Sequence, residues 1–159
     1  MTRMTRRLIL LIACIAFPVS ASAGPKEDAQ AVFDKFLAAF TAVDVDGVVG
    51  LFAPDALVWG TGMRELATTS EPVRQYFVAA LGNLKPNQIT ASAAGPYFAM
   101  VLSDNAVLVS GMWQIERVVD GKPTVGAPMR VSIAVVKRGD RWLIAQFHNS
   151  PRPNPPTPR

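Results

Sequence analysis

The sequence predicts an α+β domain, with three helices from its N-terminal half packed on one face of a curved antiparallel sheet. Three observations predict it. Up to Asn83, apolar residues recur at helical spacing in three segments, with one short strand between the second and third. From Gln88 onward, runs of β-branched and aromatic residues are divided by turn dipeptides. No internal repeat breaks that order.

Val32, Phe33, Phe36, Leu37 and Phe40 define a first amphipathic helix over about Lys26 to Val43. Asp44 can cap a shorter second helix with Val48, Leu51 and Phe52 on its apolar face. Asp44-Val45-Asp46-Gly47 is not a calcium loop, because an EF-hand needs Gly at its sixth position and Glu at its twelfth. Pro54-Asp55 turns the chain into a short strand, Ala56 to Thr61, and Gly62 to Thr69 is a polar connection.

Ser70-Glu71-Pro72 opens the third helix with a cap, an acid in the first turn, and Pro where its missing N–H costs least. Val73, Tyr76, Phe77, Ala80 and Leu81 form its apolar stripe, and Gly82-Asn83 ends it. The expected strands are then Ile89–Ala93, Tyr97–Leu102, Ala106–Val119 and Met129–Val136, with a last strand after Gly139-Asp140. That dipeptide suits a two-residue hairpin turn with Gly in its first central position. The segment Pro151 to Arg159 carries five Pro in nine residues and reads as an extended tail.

Residues 1–23 read as a secretory signal peptide. Arg3, Arg6 and Arg7 precede an apolar run from Leu8 to Phe17, then Pro18 and Ala21-Ser22-Ala23 supply a break and a cleavage site. The run is too short to span a bilayer as a helix, which takes about 20 residues. The expected mature domain covers 24–150, periplasmic or secreted, meeting a membrane only during export. The alternative is a lipobox, Leu11-Ile12-Ala13-Cys14, with the protein lipid-anchored through Cys14.

Removing 1–23 takes three of the 16 Lys and Arg and none of the 12 Asp and Glu, leaving 13 against 12 and a net charge of +1. No basic cluster interleaved with aromatics remains, so nucleic acid is not an expected partner. The mature chain has no Cys, hence neither disulfide nor thiol chemistry.

Register points to a pocket. A two-residue turn at Asp120-Gly121 pairs Val119 with Lys122 and, counted back, Gly111 with Arg130. A two-residue turn at Gly139-Asp140 pairs Arg130 with Asn149. Val107, Val109, Trp113 and Ile115 share the face of Gly111, and Leu143, Ala145 and Phe147 that of Asn149, which makes it the core side. A buried charge needs a partner. Arg130 therefore reads either as a structural ion pair or rim-seeking side chain, or as an anion site at the mouth of a cavity. His148, the chain's one His, falls on the opposite face with Ile144 and Gln146. Trp59, Thr61, Tyr76 and Tyr97 suit either a pocket lining or plain core packing.

Three stretches carry a family resemblance. They are Arg130 two residues before Ser132 with the basic turn and WLIAQFHNSPRP that follow, LFAPDALVWGT (Leu51 to Thr61), and VRQYF (Val73 to Phe77). They resemble the SnoaL-like branch of the nuclear transport factor 2-like superfamily, nearest in pattern to the association-domain group related to calcium/calmodulin-dependent kinase II. The resemblance spans about Ala29 to Pro153. It implies a cone-shaped sheet with the helices on its concave face, a cystatin-like roll. It also implies a pocket lined by Arg in the kinase-associated relatives, one of them at the position that Asn149 fills here.

The superfold hosts many activities. In related isomerases a general-base Asp follows the first strand, and the matching position here is Gly60. No phosphate loop, HExxH, nucleophile elbow or metal-ligand cluster is present in the sequence, so neither cofactor nor metal is predicted. Two classes of function follow. One is an exported small-ligand-binding or oligomerisation module, its ligand a small hydrophobic or carboxylate compound held by Arg130, Asn149, Trp59, Thr61, Tyr76, Tyr97, Trp113 and Ser132. The other is an isomerase-, cyclase- or dehydratase-type enzyme acting on a small hydrophobic carbonyl compound, with Arg130 on an oxyanion and His148, Tyr76 or water moving the proton. Val131, Ile133, Val135, Ile144 and Met112 form the other sheet face and predict a homodimer through it.

Overall fold

The computed structural model describes residues 24–153. The leader expected over 1–23 and the tail beyond Pro153 lie outside the described residues. The elements run α1 (Pro25–Thr41), α2 (Val45–Val49), β1 (Phe52–Trp59), α3 (Ser70–Leu81), β2 (Ile89–Ala93), β3 (Phe98–Ser103), β4 (Ala106–Val119), β5 (Lys122–Val125), β6 (Met129–Arg138) and β7 (Arg141–Pro151).

α1 stops at Thr41, short of the expected Val43, because Val43 adopts φ 59 and its N–H turns back to the Phe40 carbonyl at 3.1 Å. Asp44 caps α2 as expected, its Oδ1 accepting from Gly47 N at 2.8 Å. Phe52, expected on α2, instead begins β1 and enters the core. Ser70 is the first helical residue of α3 rather than its cap; Thr69 holds the cap position, and the Ser70 hydroxyl reaches the Pro54 carbonyl at 3.5 Å.

The seven strands form one mixed sheet in the order β1-β7-β6-β4-β2, with β3 and β5 also paired to β4. Every pair is antiparallel except β1 with β7, which run parallel. β1 is entered from a helix rather than a hairpin, so no local turn fixes its direction. Among the described residues, no helix is long and apolar enough to cross a membrane.

Both hairpin turns form as the sequence predicts, and both registers then slip by one residue. Val119 pairs with Lys122 and Glu116 with Val125, but the partner of that stretch is the short strand β5. Gly126 then hydrogen-bonds to the Ile115 carbonyl at 2.8 Å, and β6 resumes with Met129 opposite Trp113. At the other turn, Gly139 takes φ 59, and Arg138 pairs with Arg141 through to Val135 with Ile144. A bulge at Ala145 follows, and Ala134 pairs with Gln146.

A slip of one residue turns every side chain beyond it to the other face. Arg130 consequently lies opposite Met112 and Ser150, exposed on the outer face, not opposite Gly111 and Asn149. Val131, Ile133, Val135 and Ile144, expected outside as a dimer face, are each at most 4% exposed. They belong to the core. Phe36 stands at the centre of that core, with ring contacts to Phe33, Phe40, Phe52, Phe77, Trp113 and Phe147 at 5.5–6.5 Å between centroids. Six aromatic neighbours on one ring tie α1 to α3 and to the inner face of the sheet.

Candidate functional site

The site is a cavity of about 450 Å³ at one end of the sheet, beneath α3. β4 contributes Trp113, Ile115 and Arg117; β6 contributes Met129; β7 contributes Phe147 and Asn149. Tyr76, Phe77, Ala79 and Ala80 of α3 cover it, with Thr61, Gly62 and Met63 from the loop after β1 and Phe40 from α1. Its size is ordinary for a small-molecule site, and its wall is mostly apolar.

The floor is a closed polar network around Asn149, which is 4% exposed. Asn149 Oδ1 accepts from Trp113 Nε1 at 2.8 Å, and Nδ2 donates to Thr61 Oγ1 at 2.8 Å. The Thr61 hydroxyl in turn donates to the Asn149 backbone carbonyl at 3.4 Å, and Met129 Sδ lies 3.7 Å from Nδ2. An amide has one acceptor and two donors, and here each is used. Burial pushes the Tyr76 phenol above its ordinary value, while hydrogen bonds with the Asn149 side chain and the Thr61 backbone act in the opposite direction. Tyr76 therefore enters the cavity as a neutral hydroxyl.

Gly60 explains how Tyr76 gets there. A Cβ at residue 60 would stand 2.2 Å from Tyr76 Cζ. The position that holds a base in the isomerases is therefore covered by an aromatic ring, and only glycine leaves that ring its place. The Gly60 N–H also donates to Met63 Sδ at 3.1 Å, which fixes the loop that carries Met63 onto the cavity wall.

Of the residues expected around a ligand, Asn149, Thr61, Tyr76 and Trp113 meet at this cavity. The other four lie elsewhere. Arg130 is on the outer face for the register reason above. Ser132 is there too, its hydroxyl 2.9 Å from that of Ser110. Trp59, 40% exposed, alternates outward beside Val58, which is fully buried. Tyr97 leaves the cavity for α1: its ring meets Phe33 edge-on at 5.2 Å and its hydroxyl donates to Asp34. Gly111 makes that possible, since a Cβ there would stand 2.6 Å from Tyr97 Cβ. The room expected for Arg130 is thus Tyr97's. Burial, then the Asp34 hydrogen bond and charge, push the Tyr97 phenol up to about 12. His148 is exposed on the outer face, between Trp59 of β1 and Ser132 of β6.

Among the lining residues missed by sequence reasoning are Arg117, Ile115, Met63, Met129, Phe40 and Ala80. Arg117 was readable. It continues the alternation Val109, Gly111, Trp113, Ile115 two residues further along β4. The methionines carry no such signal, being brought in by loop geometry and by the slip at Gly126.

Residues 26–152 match the model of a family described as NTF2-like protein (DUF6841). The chain belongs to this family. No curated protein matches it. Among solved structures, it is similar to a calcium/calmodulin-dependent protein kinase II association-domain-like protein from Xanthomonas campestris, at 22% identity and TM-score 0.70, covering 92% of this chain and 99% of that one. It is similar to the association domain of C. elegans CaMKII, at 18% identity and TM-score 0.64, covering 79% and 94%. An uncharacterised protein with a cystatin-like fold from Caulobacter vibrioides is a third, at 17% identity and TM-score 0.67, covering 82% and 92%. These are likenesses of fold. They agree with the cystatin-like, NTF2-like architecture that the sequence motifs imply.

Proposed function

We propose that this is an exported NTF2-like module that binds a small hydrophobic ligand in the cavity beneath α3. The observation that carries the reading is the cavity floor. Trp113, Asn149 and Thr61 use their polar atoms on one another, so the wall is pre-organised and presents no carboxylate, imidazole or thiol for bond-breaking. Of the residues named for the enzymatic alternative, Tyr76 reaches the cavity, whereas Arg130, its oxyanion group, and His148 are on the far side of the sheet.

The test is titration with a neutral fluorescent hydrophobe, N-phenyl-1-naphthylamine. The wild type should bind it with a fluorescence gain, and Ala80→Phe, which fills the cavity from α3, should lose that gain with the fold intact by circular dichroism. Equal binding by both proteins would place the probe elsewhere and refute the cavity as the site.

A homodimer through the outer face is the second part of the proposal. Phe98, Met100, Leu57 and Trp59 stand 71, 62, 43 and 40% exposed there. They fall in two rows across five strands, Trp59–His148–Ser132–Ser110–Phe98 and Leu57–Gln146–Ala134–Leu108–Met100. The exposed apolar side chains thus stand on the two end strands of this face, β1 and β3, with mainly polar or small residues between them, and exposed apolar side chains there suit contact with a second copy.

A further inference from the structure

We infer that the ligand is an amphipathic monocarboxylate, its apolar body in the cavity beneath α3 and its head group on Arg117. The inference rests on the ligand-binding reading above. A second, mostly apolar cavity of about 360 Å³ adjoins the first, and the two share Ile115, Arg117 and Met129. Among the described residues, Arg117 is the one charged residue lining either. Among the described residues no Asp or Glu lines them, so no carboxylate of this wall competes for the guanidinium.

Arg117 is also without an ion pair among the described residues, unlike Arg74, which pairs with Asp46, and Arg138, which pairs with Asp55. Its cross-strand neighbours are Ile89 on β2 and Thr124 on β5, neither charged. β-strand alternation turns Glu116, the adjacent carboxylate, to the other face of the sheet. Arg117 is an exposed residue shared by the linings of the two cavities, so its charge carries no large burial penalty. Its planar fork matches a carboxylate in two parallel hydrogen bonds.

Selection by charge follows from the same geometry. An apolar wall of Phe40, Phe77, Met63 and Met129 accepts many shapes, and methionine adapts to irregular ones. The wall therefore sets little beyond bulk, and the lone cation at the exit selects the anionic member of any series of equal size. A cationic ligand would meet Arg117 with no acid to offset it.

The experiment is isothermal titration with sodium octanoate and with 1-octanol, which share a chain and differ at the head. Wild type should bind octanoate about tenfold tighter than octanol, the order expected of one charge-assisted contact. Added salt should narrow the gap. Arg117→Gln should remove the octanoate advantage and leave octanol unchanged, and Arg117→Lys should restore part of it. Equal affinity for the two probes, or octanoate binding indifferent to Arg117→Gln, overturns the carboxylate assignment and leaves the ligand-binding reading standing. If neither probe binds the wild type, both fall.

Discussion

Replacing Asn149 by Leu tests the floor of the cavity most sharply. Leucine keeps the branching and heavy-atom count of asparagine with bulkier ends, and keeps water out of the place, yet it neither donates nor accepts. Trp113, 2% exposed, would lose the acceptor 2.8 Å from its indole nitrogen. Leaving that buried N–H unsatisfied costs about 1–3 kcal/mol. Thr61 would lose the amide donor at 2.8 Å, but its hydroxyl is exposed and turns to solvent, so this term is about 0.5–1 kcal/mol. The added apolar burial of leucine offsets about 1 kcal/mol of the loss. The net expectation is a destabilisation of about 0.5–3 kcal/mol, read by urea unfolding with far-ultraviolet circular dichroism. The same substitution in a Trp113→Phe background removes the orphaned donor along with its acceptor, so its cost should fall by at least about 1 kcal/mol. Equal cost in both backgrounds would refute the claim that these two side chains hold the floor together.

Gly60→Ala should displace Tyr76, because the new Cβ would stand 2.2 Å from the ring; the expected loss is about 1–3 kcal/mol, with a changed near-ultraviolet signal from the tyrosine. Both of the chain's tyrosines are raised above their ordinary value, Tyr97 to about 12, so absorbance at 295 nm should show little phenolate in the folded protein at pH 10. A folded value above the unfolded one favours the neutral phenol, so Tyr97's contribution to stability is whole below pH 10 and lost as pH rises from 10 toward 12. Asp34→Asn should bring the Tyr97 midpoint down, and an unchanged midpoint would contradict the pairing. Met100→Glu on the outer face should convert a dimer to a monomer by sedimentation equilibrium with the fold retained; an unchanged mass would place the interface elsewhere.

Local chemistry was legible in the sequence, and its propagation was not. Asp44 capping α2, the Val73 to Leu81 stripe of α3 and the two hairpin turns all follow from residues within a few positions of one another, and each forms. The face of Arg130 depended on counting eight positions from each turn. One unpaired residue on either path inverts the answer, and Gly126 and Ala145 sit on those paths. Nothing marks Ala145 as a bulge, because bulges follow from how strands coil over a core rather than from the bulged residue. The site was half legible for the same reason. Trp113 and Asn149 lie on faces that the slips leave unchanged, whereas the cation was sought at Arg130 and stands at Arg117. Strand β5 was hidden by its own brevity, four residues directly continuing a turn already recognised.

The central claim is that the cavity beneath α3 is occupied by a small molecule in the cell. Native mass spectrometry of the protein purified gently from its own compartment tests it most directly, with Ala80→Phe prepared in parallel. The wild type should carry a non-covalent adduct that is absent from the filled variant. A wild type that flies without adduct, or an adduct retained equally by Ala80→Phe, would contradict it.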